Sequence, residues 1–357
     1  MRDALPKAVK YLLDFGVEEE TRNGPVLAAR SPVCIRYYSP KQHVLVNPVR
    51  DANPFFHLME SMWMLAGRDD GAFLDNYVKN FSKDFGVGGI IPDAYGYRWR
   101  HGGCDQLLEI THQLRRDPTT RQAVLQMWGA KEGMPELTTV GPKACNLAAT
   151  FRIQNRRLNM TVFNRSNDLI WGACGANAVH FPIMQEYLAH MIGVDIGEYW
   201  QISNNLHLYK KHVTMLEKRM PKQDELVVNA LYIALKTPFY EESMPLVNND
   251  PESFDEQLFE TMLMITDINE DKEIYTGDLT QPFLIDVVIP MAMAHRHYKN
   301  RAMAEALVEI ENVKANDWRR AGKEWIMRRT SIRVDKHGDI RGGGASQIFG
   351  EQRGKPV

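Results

Sequence analysis

Apolar residues recur at helical spacing over residues 4–15 (ALPKAVKYLLDF), with Pro6 in the first turn, which predicts an amphipathic helix. The most apolar helical stretch is 54–66 (PFFHLMESMWMLA), with Asn53 and Pro54 as start signals and Gly67 as the stop. Further helices are predicted at 72–86, where Phe73, Tyr77, Phe81 and Phe85 recur, and at 104–116. Others are predicted at 178–192, with Pro182 in the first turn or at a kink, from 209 to 218, and over 284–299 and 301–329. A period of two instead marks strands at 33–38, 43–46, 123–128 and 198–202. The clearest alternation is at 149–153 and 158–162, where Gln154-Asn155-Arg156-Arg157 reads as a hairpin turn. The stretch 241–258 is acidic and rich in Asn and Pro, so it reads as a surface excursion between helices. The Gly-rich tail beyond 330 reads as loosely ordered, either a lid or disordered.

The central hairpin places Cys145 and Arg165 one strand apart near one end of a sheet. A nearby guanidinium favours the thiolate, so this pair is a candidate nucleophile with its activator. The plainer alternative is a buried structural cysteine beside an unrelated arginine. Glu60 lies inside the apolar 54–66 helix, with Phe56, His57, Trp63 and Met64 at spacings of three and four. A carboxylate there is either on a polar side with His57 and Ser61, or buried and paired for a purpose. The run 92–100 (PDAYGYRWR) is dense in aromatic and basic side chains and suits a pocket wall as much as a core edge. His207 and Tyr209 share one side of an extended segment.

Composition narrows the class. The 357 residues are 44% hydrophobic and 25% charged, as in globular proteins with a sizeable core. A net charge of −2 argues against a nucleic-acid coat or a membrane-surface binder, while a local basic pocket could still hold one phosphate. The four cysteines are widely spaced and form no CxxC, so neither a disulfide framework nor a metal site is expected. A reducing cytoplasm is then the natural compartment. No internal repeat, signal peptide or membrane span is apparent.

Taken in order, RNG (22–24), MESMWMLAG (59–67), AYGYRWR (94–100), DPTTR (117–121), KAC (143–145), FNRSND (163–168), Asn177 and LHLYKKH (206–212) resemble the thymidylate synthase family, which includes the deoxypyrimidine-monophosphate hydroxymethylases. The resemblance covers roughly 20–212. It implies a three-layer α/β (α+β) fold, a mixed β-sheet with packed helices, and a sheet-to-sheet homodimer. It implies one catalytic domain over 1–357, divergent and helical beyond about 219. The substrate would be dUMP and the co-substrate 5,10-methylenetetrahydrofolate, with no metal, nucleic acid or membrane involved. By position, Cys145 resembles the nucleophile that adds to pyrimidine C6, Glu60 the buried acid that organises proton transfer, and Tyr95 a member of that network. Asn146, next to the nucleophile, is counted with the catalytic group. Arg22, Arg165 and Ser166 resemble the phosphate cradle, with Arg121 donated by the partner subunit. His207 and Tyr209 resemble the pair that holds the ribose 3′-hydroxyl. Asp168 matches the pterin-binding position, with Trp63 and Gly172 on the cofactor side.

Base choice rests on Asn177, whose carboxamide can donate to O4 and accept from N3–H of uracil, where a carboxylate would suit cytosine. The segment 172–177 is one residue longer than the family spacing. Alignment through the following helix selects Asn177, and alignment through Gly172 would place Ala176 there. Departures from the synthases favour hydroxymethyl over methyl as the product. Asn146 and Gln122 stand where His and Arg are usual, the folate-packing tryptophan pair is absent, and the C-terminal third is unfamiliar. A less sealed folate site admits water to the exocyclic methylene, whereas hydride transfer needs water excluded. A dUMP hydroxymethylase is therefore expected, with thymidylate synthase the nearest alternative and an inactive nucleotide- or RNA-binding relative the more distant one. A cysteine hydrolase would leave the phosphate arginines unexplained.

Overall fold

The computed structural model describes residues 4–46, 50–128, 143–219, 244–248, 250–330, 333–334 and 340–341. Its centre is a five-stranded sheet in the order β3-β8-β6-β5-β4, formed by β3 (Val33–Tyr37), β4 (Val124–Gln126), β5 (Asn146–Gln154), β6 (Arg157–Asn164) and β8 (Asp195–Ser203). β5 and β6 pair antiparallel from Asn146↔Asn164 to Gln154↔Arg157. Their two-residue turn carries positive φ at Asn155 (51°) and Arg156 (59°), the left-handed pair that matches the twist of a hairpin. The predicted hairpin is thus present, with strands longer at both ends than the alternation suggested.

β6 and β8 run parallel, so the chain between them must cross back over the sheet. The crossover is the Asn177–Ile192 helix, buried along most of its length and ended by Gly193 at φ 86°. Where the β6–β8 register shifts between Leu158 and Met160, the fully buried Gln185 of this helix donates to the carbonyls of Leu158 (2.7 Å) and Glu198 (3.1 Å). Pro182 lies inside the helix, and the kink falls before it, at Cys174 and Gly175.

A second sheet, β1-β2-β9-β7, joins β1 (Val17–Glu19), β2 (Val26–Ala28), β7 (Asn167–Asp168) and β9 (Leu206–Tyr209). β7 follows β6 directly and β9 follows β8, and the two new strands are again parallel neighbours. Two adjacent strands therefore leave one sheet for the other at the same level. The corner is stitched by the Asn204 amide donating to Asn164 O (2.9 Å) and the Asn167 amide donating to Asn205 O (2.8 Å). Arg165 and Ser166 lie at this bend.

The Pro54–Leu65 helix packs on the crossover helix and begins as predicted, with the Asn53 side chain accepting from the Phe56 amide. Its far end is held by Arg100, which donates to Leu65 O (2.9 Å) and Tyr187 Oη (3.0 Å) and pairs with Asp105 (3.0 Å) and Asp255 (2.9 Å). Gly96 lets the Tyr95–His101 helix lie against it, since a Cβ there would come within 2.0 Å of Met64 O.

Four expectations change. Residues 43–46 form no strand: Val44 and Leu45 are buried and the His43 ring packs 6.0 Å from Trp318, so their apolar character serves burial alone. The 72–86 helix is two short helices, Gly71–Leu74 and Phe81–Phe85, broken where Asn80 takes φ 63° and Asp75 accepts from the Ser82 amide. The supposed excursion gives way to a helix, Phe254–Asn269, that buries Phe254, Leu258, Met262 and Ile265. The 301–329 stretch is two helices, Met303–Glu311 and Asn316–Thr330. Of the tail, Arg333–Val334 and Ile340–Arg341 pair antiparallel, and the remainder lies outside the described residues, as do 129–142 of the loop before Cys145. Among the described residues no helix is long and apolar enough to cross a membrane.

The C-terminal helices brace the Pro54–Leu65 helix through Trp325, whose ring lies 5.3 Å from Phe55 and 4.9 Å from Tyr298. Trp325→Ala should therefore cost about 3–5 kcal/mol in urea unfolding, the range for deleting a buried aromatic ring. A loss below about 1 kcal/mol would show that these helices do not support the core.

Candidate active site

Cys145 is half-buried at the start of β5, with its carbonyl accepting from the Arg165 amide at 2.9 Å. The Arg165 guanidinium turns back on the segment before the cysteine. Its Nε donates to Ala144 O (3.0 Å) and its Nη2 to Lys143 O (2.7 Å), with the Trp128 ring 6.0 Å away. The expected juxtaposition is present, but its expected electrostatic result is reversed. Burial pushes the Cys145 thiol up; Arg165 works against this, while Asp93 and Asp168 add to it. The guanidinium is shared with two carbonyls and only partly offsets desolvation.

Tyr95 meets the Cys145 backbone directly. Its phenolic oxygen accepts from the amides of Cys145 (3.1 Å) and Asn146 (3.3 Å), which leaves its own hydrogen for another partner. Burial pushes this phenol up, so it stays protonated. Asn146 is wholly buried and donates to Phe163 O at 3.0 Å, while its Oδ1 has no hydrogen-bond partner among the described residues. Asn164, opposite it in register, has an orphaned buried Oδ1 as well.

Glu60 is mostly buried, its side chain 14% exposed and its Oε2 fully enclosed, and His57 and Ser61 on its helix are buried too, so it does not lie on an exposed polar side. Its Oε2 lies 3.1 Å from His180 Nε2 of the crossover helix. Burial raises the carboxyl to about 8 and lowers the imidazole to about 3, so at neutral pH both are uncharged. The contact joins a carboxylic acid to a neutral imidazole and is not an ion pair.

On β9, the His207 and Tyr209 rings meet edge to face at 5.2 Å, as extended spacing predicted. His207 Nδ1 is 2.9 Å from Asn205 Oδ1, and burial lowers the imidazole. The turn carrying Arg22 lies beside them, with Asn23 Nδ2 3.5 Å from Tyr209 Oη. Arg121 is exposed in the turn before β4. Ser166 is half-buried at the sheet corner beside Arg165.

Asp168 caps the next helical segment, its Oδ1 accepting from the amides of Ile170 (2.8 Å) and Trp171 (2.6 Å). Its Oδ2 faces His212 Nδ1 at 3.3 Å. The Trp171 indole N–H donates to His212 Nε2 at 2.7 Å, which puts the imidazole proton on Nδ1, toward the aspartate. The Trp171 ring itself is 51% exposed. Trp171 and His212 were missed as site residues, although both stand within or next to the motifs of Asp168 and His207. Trp63 is 2% exposed and its N–H donates to Asp70 O at 3.1 Å. Asn177 is half-buried and donates through Nδ2 to Asn167 Oδ1 at 3.2 Å. Gly172 is needed beside this contact, since a Cβ would come 2.4 Å from Asn167 Oδ1.

A protonated thiol at a sheet corner, a phenol on its amides, a neutral buried carboxylic acid and a basic bend together describe an enzyme site for nucleophilic addition to a polar, anionic substrate. The chain belongs to the thymidylate synthase family, whose family model, described as thymidylate synthase, matches residues 5–244. It is 40% identical over 340 residues to a deoxyuridylate hydroxymethyltransferase of Pseudomonas phage M6, covering 92% of each chain. It is 36% identical over 207 residues to a deoxyuridylate hydroxymethyltransferase of Bacillus phage SP01, covering 53% of this chain and 54% of that one. A thymidylate synthase of Oenococcus oeni is 25% identical over 160 residues, 42% of this chain and 47% of the relative.

Glu60 titrates near 8 in the folded chain against an ordinary 4.5, so the folded state holds this proton more tightly than the unfolded chain. Its stabilising contribution is full below about 4.5 and is lost as pH rises through about 8. Glu60→Gln cannot ionise and escapes that loss. Its Tm should gain on the wild type as pH rises from about 4.5 to about 8, by calorimetry. A Tm gap that stays constant across this window would show that Glu60 does not ionise there.

Proposed function

We propose that this enzyme transfers a one-carbon unit from methylenetetrahydrofolate to C5 of dUMP and releases 5-hydroxymethyl-dUMP. The observation that carries this reading is the similarity, over 92% of both chains, to a deoxyuridylate hydroxymethyltransferase, in a chain whose Cys145 and Arg165 meet at the sheet corner. The folate supplies the carbon as a methylene unit.

The side chains account for the remaining steps. Cys145 enters protonated and must lose its proton as the nucleotide binds, before its sulfur adds to C6 and makes C5 nucleophilic. Asn177 holds O4 and N3–H of the base. The neutral Glu60 can supply a proton toward O4 through water and take it back, since a group titrating near 8 is close to the working pH. The free O–H of Tyr95, beside the Cys145 amide, belongs to the relay that handles the C5 proton. Once the carbon is on C5 and the folate has left, water adds to the exocyclic methylene and Cys145 leaves C6. The orphaned Oδ1 atoms of Asn146 and Asn164 are acceptors suited to holding that water.

Arg22, Arg165, Ser166 and a partner's Arg121 take the phosphate in this reading, and His207 with Tyr209 the ribose hydroxyl. Asp168 Oδ2, held by His212 Nδ1 and with acceptor capacity to spare, and the exposed Trp171 ring fit a pterin, which offers N–H donors and a stacking face. Gly172 leaves room beside them. The outward side of the central sheet, with Phe163, Trp200 and Ile202 half-buried on it, supports dimerisation through that face.

Incubation with dUMP and methylenetetrahydrofolate should give hydroxymethyl-dUMP and tetrahydrofolate by mass spectrometry; dTMP with dihydrofolate would overturn the hydroxymethyl assignment. Cys145→Ala should abolish turnover, and Asn177→Asp should move preference toward dCMP. Turnover surviving Cys145→Ala would refute the covalent step.

A further inference from the structure

We propose that two buried amides that do not reach the substrate, Asn167 and Gln201, set base specificity by locking Asn177 in one of its two flip states. The proposal rests on the dUMP reading above and deepens it. A carboxamide does not by itself distinguish uracil from cytosine. Its pairing edge offers one acceptor and one donor, and a half-turn of the amide exchanges them. In one state Asn177 accepts from N3–H and donates to O4, as uracil requires. In the other it donates to N3 and accepts from the N4 amine, as cytosine requires. Something behind the side chain must choose.

The structure supplies a one-directional relay. The Ala173 backbone carbonyl can only accept, and it accepts from Gln201 Nε2 (3.3 Å) and from the Tyr37 hydroxyl (2.8 Å). On the same strand the Tyr199 hydroxyl donates to the Asn177 backbone carbonyl at 3.3 Å. With its nitrogen committed, Gln201 presents Oε1 to Asn167 Nδ2, which also donates to Ser203 Oγ at 3.0 Å. Asn167 then presents Oδ1, and Asn177 must offer it an N–H, at 3.2 Å. What remains of Asn177 is its Oδ1 and its second N–H, the edge that uracil matches. Gln201 and Ser203 are fully buried and Asn167 is 3% exposed, so water cannot repair a reversed link. Flipping Asn177 alone sets two carbonyl oxygens against each other; flipping the whole relay sets Gln201 Oε1 against Ala173 O. Gly172 holds the middle link in place, because any Cβ there would displace Asn167 Oδ1.

The test is equilibrium binding of dUMP and dCMP to the wild type, Gln201→Met and Gln201→Glu, with Tm checked for each. Methionine fills the space but removes the polarity, leaving Asn167 against a serine hydroxyl that donates or accepts. If Asn177 then samples both states equally, dUMP affinity falls only about twofold, while dCMP affinity rises by about tenfold or more. Glutamate still accepts from Asn167 and should keep the wild-type preference. A packing role predicts the opposite order, since a buried carboxyl disturbs a core more than methionine does. Unchanged preference in Gln201→Met, or loss of preference in Gln201→Glu equal to that in Gln201→Met, would overturn the proposal. If Gln201→Met does not fold, Gly172→Ala decides: displacing Asn167 should raise dCMP affinity in the same way, and unchanged preference refutes the relay. A wild type that binds dCMP as well as dUMP would instead refute the dUMP reading itself.

Discussion

The parallel pairing of β6 with β8 is the constraint from which the site follows. Parallel neighbours cannot be joined by a hairpin, so the chain must cross the sheet, and the crossover helix brings His180 beneath Glu60. Both strands then turn the same corner into the second sheet. That corner places Arg165 and Ser166 after β6, and Asn205, His207 and Tyr209 after β8. Cys145 is on the antiparallel partner of β6, so it reaches the same corner from the other side.

Burial, more than pairing, sets the electrostatics here. The Cys145 thiol, the Glu60 carboxyl and the Tyr95 phenol are all held in their neutral forms by desolvation, and His180 and His207 are pushed the same way. Desolvation therefore favours the uncharged form of each of these groups.

The helices beyond the matched 5–244 segment are part of the same support. Asp255 of the Phe254–Asn269 helix completes the Arg100 cluster at the end of the Glu60 helix, together with the Tyr187 hydroxyl. Asp51, just before that helix, pairs with Arg328 (3.2 Å) and Arg329 (2.9 Å) near the C-terminus. The phage M6 relative aligns with 92% of this chain, so most of this bracing region lies within the similarity.

Local pattern alone determined the first helix, the Glu60 helix with its asparagine cap, the central hairpin and the shared side of His207 and Tyr209, because helical and strand periods are properties of neighbouring residues. The order of short motifs identified the family. Pattern misjudged residues 43–46, whose alternation serves packing under Trp318, and missed the Phe254–Asn269 helix, whose apolar stripe follows an acidic, Asn- and Pro-rich approach. It also assigned Cys145 the wrong electrostatic balance, since desolvation depends on what folds over a group. Tertiary structure decided that Glu60 is a neutral acid against His180, that Trp171 and His212 orient around Asp168, and that Asn167 and Gln201 line up behind Asn177. A protonation state and an amide flip are set by partners across space, and no spacing along the chain encodes them.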